Sequence, residues 1–371
     1  MIARSRILWI GLAAAGVTAL LWMDVRAGRD VQVDSGYRVV MGTFSRIVVI
    51  APNRPIAAQC IDAAFKDQDE IERLMSYHRP DSELAEVNSE AYDHPVRLSE
   101  PMLEVLRKAL ETSRLSEGAF DVTVGPLMDM WKYAGQVGIM PTDAQMEHVR
   151  AKVGWDKVVL DPNQRTIRFA VEGMKIDLGG IAKGYAVDRS VQVLRDQGAL
   201  SGMVDIGGNI RCFGRPPRGK EYWRIGIQDP CRVDGPGPSS DCVLLVLKLT
   251  NQAVATSGHY RRFTMVGDRE VSHILDPRTG TSNEQLASVT IIAPDAMTAD
   301  ALSTAVSILG KEKGFSLAES LPQIEAIGVV AESRAGPRSD QTSPGIAVVK
   351  TRGADRFIAG SVADPVPARW R

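Results

Sequence analysis

The sequence predicts one α+β domain of mixed sheets and helices, beginning near residue 36. Three observations predict it. Helical spacing of apolar residues marks much of the first half, and short apolar strands bounded by Gly, Pro and Asn dominate after residue 200. No break in composition divides residues 36–331. Hydrophobic residues make up 44% and charged residues 24% of a 371-residue chain, the balance of an ordinary globular protein with a sizeable core. Lys and Arg number 44 against 45 Asp and Glu. That leaves no basic excess for phosphate backbones, and nucleic-acid binding is excluded.

Residues 1–28 differ from the rest. Arg4 and Arg6 precede an uncharged, mostly apolar run from Ile7 to Met23, and Val25-Arg26-Ala27 offers a cleavage site. This reads as a signal peptide or an uncleaved anchor that places the body on the outer side of the cytoplasmic membrane. With a single such stretch, a multi-pass membrane protein is excluded.

Tyr37 to Ala51 reads as strand, with Ile47–Ile50 as a buried run. Pro55 to Met75 reads as a helix, since Ile56, Cys60, Ala63, Ala64, Ile71 and Leu74 recur at helical spacing. Ser76 to Ser82 is a loop. Met102 to Ser113 is a second helix, and Thr142 caps a third that ends at Gly154. Lys157–Leu160 and Thr166–Ala170 form a hairpin about Pro162-Asn163. Ile181 to Arg195 is helical and closed by Gly198. Strands follow at Met203–Ile206, Arg224–Ile227, Val243–Leu249, Gln252–Ala255 and Val289–Ile292. Thr298 to Leu309 is a helix stopped by Gly310, Lys313 to Leu321 another, and Ala326–Val330 a strand. Residues 332–371 read as a loop and a C-terminal extension, with a hairpin over Ile346–Ile358. Of the 4 Cys, Cys60 falls on an apolar helix face, and Cys231 and Cys242 bracket a loop they could bridge in an exported chain.

Three segments carry candidate chemistry. Asp177-Leu178-Gly179-Gly180 opens a helix containing Lys183, and paired glycines at a helix N-terminus let backbone N–H groups approach an anion. Asp300 and Thr304 are four apart on one helix face. A carboxylate, a hydroxyl and nearby carbonyls make a hard oxygen site suited to Mg²⁺. His273 precedes the turn Asp276-Pro277-Arg278-Thr279-Gly280 and is a candidate general base, the alternative being a loop histidine bonded only to solvent or backbone.

Read in order, these segments resemble the ApbE family of FAD:protein FMN transferases. The resemblance runs through Met41-Gly42-Thr43, Met75-Ser76 with Pro80–Leu84, Asn88, Gly118–Leu127 with Trp131, Asp177–Ala186, Asp205–Asn209, Trp223–Pro230, Ala255–Gly258 with Tyr260, His273–Gly280, and Ala299–Thr304. It implies a T-fold-like domain that binds FAD with Mg²⁺ at the pyrophosphate. It implies transfer of the FMN half to a Thr or Ser hydroxyl of an acceptor flavoprotein, forming a phosphoester and releasing AMP. Acceptors in such families are subunits of membrane redox pumps or periplasmic electron carriers. By the matched motifs, Asp300 and Thr304 hold the metal together with carbonyls of Gly180 and Ser303. Met41, His78, Ala119, Phe120, Asp121, Asp177, Lys183 and Ile274 lie on FAD, and His273 deprotonates the acceptor. Where the family carries an aromatic residue two places after Met75-Ser76, this chain has His78, with Tyr77 one place earlier. Either ring is a candidate for stacking. His259 follows Ser257-Gly258 and rivals His273 as base. An Mg²⁺-dependent FAD pyrophosphatase and a non-catalytic exported FAD-binding protein are the competing readings.

Overall fold

The computed structural model describes residues 30–217, 219–230, 243–258, 263–283, 285–331 and 346–361. The leader at 1–28, the Cys231/Cys242 pair and His259 lie outside the described residues. Among the described residues no helix is long and apolar enough to cross a membrane.

The chain runs β1 (Val31–Val40), β2 (Thr43–Ala51), α1 (Arg54–Met75), α2 (Glu83–Glu90), β3 (Val96–Arg97), α3 (Glu100–Leu115), α4 (Gly125–Val137), α5 (Asp143–Arg150), β4 (Val158–Asp161), β5 (Thr166–Phe169) and α6 (Ala182–Asp196). Next come β6 (Ser201–Ile206), β7 (Asn209–Phe213), β8 (Trp223–Gln228), β9 (Val243–Leu249), β10 (Ala253–Gly258), β11 (Phe263–Val266), β12 (Arg269–Ser272) and β13 (Ser288–Ala293). The chain closes with α7 (Ala296–Ser320), β14 (Glu325–Ala331), β15 (Ile346–Lys350) and β16 (Ile358–Ser361).

An 8-stranded antiparallel sheet, ordered β1-β2-β6-β7-β10-β13-β14-β15, is the frame. Alternation along β2 explains how it is covered. Ile47 and Val49 join the core formed with α1 and α6. Val48 points to the opposite face, where it meets Trp223, Ile225, Leu245 and Leu247 of the small sheet β16-β9-β8. Because both faces are covered, the strand reads as an unbroken apolar run rather than an alternating one.

α1 forms where its periodicity predicts. Asn53 Oδ1 accepts from the Ile56 N–H at 3.0 Å, Pro55 occupies the first turn, and Ala57, Cys60, Ile61, Ala64 and Ile71 are buried along one stripe. Cys60 is a free, buried core thiol. Gly310, at φ 77 and ψ −170, breaks α7 into two helical parts. The third predicted helix is shorter than expected. α5 is capped by Thr142 and stops at Arg150.

The predicted C-terminal hairpin is not formed. β15 pairs with β14 in the large sheet and β16 with β9 in the small one. The connection crosses from one layer to the other and is tied down by buried Glu325, which accepts from Thr351 Oγ1 and Arg356 Nη2. Residues 346–361 therefore complete two sheets instead of extending the domain.

Candidate active site

One end of the large sheet carries the β1–β2 turn (Met41, Gly42), the β6–β7 turn (Gly207, Gly208) and the end of β10 (Gly258). Gly207 and Gly208, at φ 61 and 90, give the two-residue turn that joins β6 to β7. Asp177-Leu178-Gly179-Gly180 echoes Asp205-Ile206-Gly207-Gly208 in sequence only, since the former enters α6 and the latter turns a hairpin.

α6 and the first part of α7 meet at this end. Gly184 makes the approach possible: a Cβ there would lie 2.3 Å from Ala296 O and 2.7 Å from Met297 Cα. Gly184→Ala is expected to destabilise the fold by about 1–3 kcal/mol, because backbone must shift to relieve the overlap. Urea unfolding checks this, and an unchanged midpoint would place the helices further apart than described.

The contact lets Asp300 Oδ2 accept from the Gly184 N–H at 2.9 Å, with Lys183 Nζ 3.7 Å away. Lys183 Nζ also donates to Gly179 O. Asp300 is 4% exposed. Burial raises its pKa, opposed by Lys183, the Gly184 N–H and the Asn209 side chain. Asp177 Oδ1 accepts from the Gly179 N–H at 2.7 Å. Burial raises this carboxyl as well, against the Gly179 N–H and the charges of His78 and Lys183.

Gly180 joins the two helices. A Cβ there would lie 3.2 Å from Phe120 Cε2 and 3.3 Å from Thr304 Oγ1. Phe120, Gly180, Lys183, Asp300 and Thr304 are thus brought to one place. Ser303 Oγ donates to Asp300 O at 2.8 Å and meets Ser257 Oγ at 2.8 Å. Its carbonyl lies in a regular helical turn, which leaves one lone pair for a further partner.

The donor set fits Mg²⁺. Among the described residues no three His, Cys, Asp or Glu side chains gather at a common metal position. A cation here would rest on the Asp300 carboxylate, the Thr304 hydroxyl and the Gly180 and Ser303 carbonyls, with phosphate oxygens completing the shell. That hard, partly substrate-supplied set is what Mg²⁺ accepts. Lys183 stands beside the buried Asp300 carboxylate and near the half-buried Asp177 carboxylate, so a further cation is electrostatically favoured.

Around this centre, Ala119 and Ile274 are buried together with Ile308, one helical turn beyond Thr304. Asn283 Nδ2 donates to Ile308 O at 2.8 Å. The loop carrying His273 is therefore held against α7, with His273 itself exposed. Asp276 shapes that loop: its carboxylate pairs with Arg278 at 2.8 Å and its carbonyl accepts from the Gly280 N–H at 2.7 Å.

Met41, at φ 52, is tied to the end of α1 through its N–H to Glu72 Oε2 at 2.8 Å. Tyr77 and exposed His78 follow that helix, edge to face with ring centroids 5.7 Å apart. Tyr77 Oη donates to Gly125 O at 3.4 Å, and burial with nearby Asp129 keeps its phenol protonated. Of the two candidates for stacking, Tyr77 is thus half-buried and tethered, whereas His78 faces outward beside Asp177.

Asp121, expected along FAD with Ala119 and Phe120, has its carboxylate engaged within the protein. Its Oδ1 accepts from the Thr123 N–H and Oγ1 at 2.8 and 2.7 Å, and Oδ2 accepts from the Trp155 N–H at 2.8 Å. The carboxylate ties its own turn to the segment that begins at Trp155.

Sequence reasoning gave no role to Asn209 on Asp300, Ser257 on Ser303, or Asp188. Asn209 and Ser257 lie inside the Asp205–Asn209 and Ala255–Gly258 motifs, but their partners are far away along the chain. Burial pushes the Asp188 carboxyl from 3.8 up to about 6. Between those values the native state keeps a proton that the unfolded chain has released. Its contribution to stability is therefore present below about pH 4 and is lost as pH rises through about 6. Asp188→Asn is expected to lack that decline, of the order of 3 kcal/mol at most. Denaturant unfolding of both proteins at pH 4.5 and 7.5 measures it.

A profile of the ApbE family matches residues 41–328. The chain is 36% identical to the FAD:protein FMN transferase of Haemophilus influenzae over 265 residues, 70% of this chain and 74% of that protein. It is also 36% identical to the Vibrio cholerae protein of the same name over 263 residues, 68% and 76% of the two chains. The crystal structure of the ApbE protein from Thermotoga maritima superposes with a TM-score of 0.75 at 30% identity, covering 89% of this chain and 99% of that one. The flavin transferase ApbE from Vibrio cholerae gives 0.72 at 31% identity, with the same coverage. With a profile match over residues 41–328 and relatives 36% identical over more than two thirds of its length, this chain belongs to the ApbE family.

Proposed function

We propose that this protein is an FAD:protein FMN transferase that uses Mg²⁺ and modifies a Thr or Ser hydroxyl of an acceptor flavoprotein. The names of its relatives support flavin transfer. The observation that carries the reading is the convergence of the Asp177–Gly180 turn, Lys183, Asp300 and Thr304 at one helix junction. It unites a glycine turn and the Lys183 ammonium with a hard cation site, as a pyrophosphate–Mg²⁺ pair requires.

In the reaction, the acceptor hydroxyl oxygen forms a bond to the phosphorus that carries FMN. The bond from that phosphorus to the bridging oxygen breaks, and AMP leaves with that oxygen. Bound Mg²⁺ supplies Lewis-acid neutralisation of the phosphate charge. Lys183 orients the pyrophosphate, and Thr304 and Asp300 would hold the cation. His273, exposed on its loop, takes the hydroxyl proton from a macromolecular acceptor. Tyr77 or His78, together with Met41, Phe120 and Ile274, borders the rest of FAD. The leader at 1–28 is proposed to export the enzyme to the outer face of the cytoplasmic membrane, where redox-pump subunits or electron carriers are its acceptors.

Purified protein, FAD, MgCl₂ and an acceptor domain with a reactive Thr are expected to yield acceptor heavier by one FMN, with one AMP released per modification. AMP and free FMN without acceptor would establish a pyrophosphatase instead. Stoichiometric FAD retention with no AMP would establish a binding protein.

A further inference from the structure

Asp188 lies one turn after Gly184 on the same face of α6. Its carboxylate bonds outside its own helix. Oδ1 accepts from the Ala296 N–H at 2.9 Å and from Arg211 Nη1 at 2.6 Å, and Oδ2 accepts from the Met297 N–H at 2.8 Å. Ala296 and Met297 open α7, whose own cap, Asp295, accepts from the Thr298 N–H at 2.7 Å. The first N–H groups of a helix have no partner within it. Here two carboxylates from two different helices satisfy them.

The exchange is reciprocal. A side chain of α6 holds the backbone of α7, and Asp300 of α7 holds the backbone of α6 at Gly184. Arg211 ties the junction to β7: its Nη1 pairs with Asp188, and its buried Nε has no partner among the described residues.

We propose that Asp188 is a positioning residue for the Asp300–Thr304 oxygen site, clamping the first turn of α7 to α6 so that both side chains face the Gly180–Lys183 turn. The identity of the cation is taken from the transferase reading. The physical reason lies in helix geometry. One residue of slip rotates a helix by about 100° and moves it by about 1.5 Å, enough to take Asp300 off the Gly184 N–H. The charged groups facing Asp188 are Arg211 from β7 and Asp295 from α7. At pH 7.5 the ionised carboxylate has acceptor capacity for all three bonds, and an amide at this position does not.

The test is a MgCl₂ titration at pH 7.5 with saturating FAD and no acceptor, read as the rise in unfolding temperature. The wild type is expected to show a saturable rise. Asp188→Asn is expected to need about tenfold more Mg²⁺ to reach the midpoint, the scale set by residues that orient ligands. In an Asp300→Asn background the same change is expected to add nothing, because Asp188 acts through Asp300. If Asp188→Asn does not fold, Arg211→Gln, which keeps both backbone bonds but frees the clamp from the sheet, is expected to raise the midpoint about threefold. A folded variant with a lower unfolding temperature but the wild-type Mg²⁺ midpoint would overturn the proposal, leaving Asp188 a structural tie only. A wild-type protein indifferent to Mg²⁺ would instead overturn the metal assignment itself, and the positioning role with it.

Discussion

Asp300→Asn is expected to lower FMN transfer by about 10³-fold or more while leaving the protein folded. Asn keeps the shape of the side chain and an acceptor for the Gly184 N–H, which Asp300 Oδ2 engages at 2.9 Å. It removes the only ionised group assigned to the cation site. Metal neutralisation of a phosphoryl group is worth several kcal/mol, and each 1.4 kcal/mol is about a factor of ten in rate. The variant also relieves the cost of a buried carboxylate, so its unfolding free energy should not fall along with its activity. Quantifying FMN-modified acceptor by mass spectrometry at saturating MgCl₂ checks this. Turnover within tenfold of the wild type would remove Asp300 from the site.

His273→Ala is expected to slow transfer by about 10²–10⁴-fold, the usual contribution of a positioned general base. FAD affinity should hardly change. His273 is exposed, and the loop keeps its shape without the imidazole through buried Ile274 and the Asp276–Arg278 pair. Equilibrium FAD binding and single-turnover transfer separate the two quantities. Full activity in His273→Ala would transfer the base role to another group, with His259 the first to examine by the same substitution.

Much of the fold was legible because local periodicity and capping agree with the tertiary structure. The Asn53 cap and the apolar stripe of α1, the Thr142 cap of α5 and the break at Gly310 are short-range facts. The sequence pattern misses α2, α4 and the β11–β12 hairpin. Segments of eight residues and of four residues a strand hold too few positions for a period to emerge, and α4 starts at Gly125-Pro126 with no side-chain cap to announce it. The C-terminal strands are near neighbours in sequence and so suggest a hairpin, yet each pairs with another strand, β15 with β14 and β16 with β9. What separates them is the anchorage of their connection on Glu325, in a different part of the chain.

The sequence by itself determined the family, the α+β class and the chemical types at the site: a glycine turn with Lys183, an acidic helix face and a loop histidine. Each of these depends on residue identity at short spacing, which folding does not alter. The tertiary structure alone decided which atoms are committed. It turned Asp121 inward, set Asp300 on the Gly184 N–H, and sent Asp188 from α6 to cap α7. The two bonds between α6 and α7 join residues more than a hundred positions apart. They exist because Gly184 lets two helix backbones touch, a fact of packing that no local pattern records.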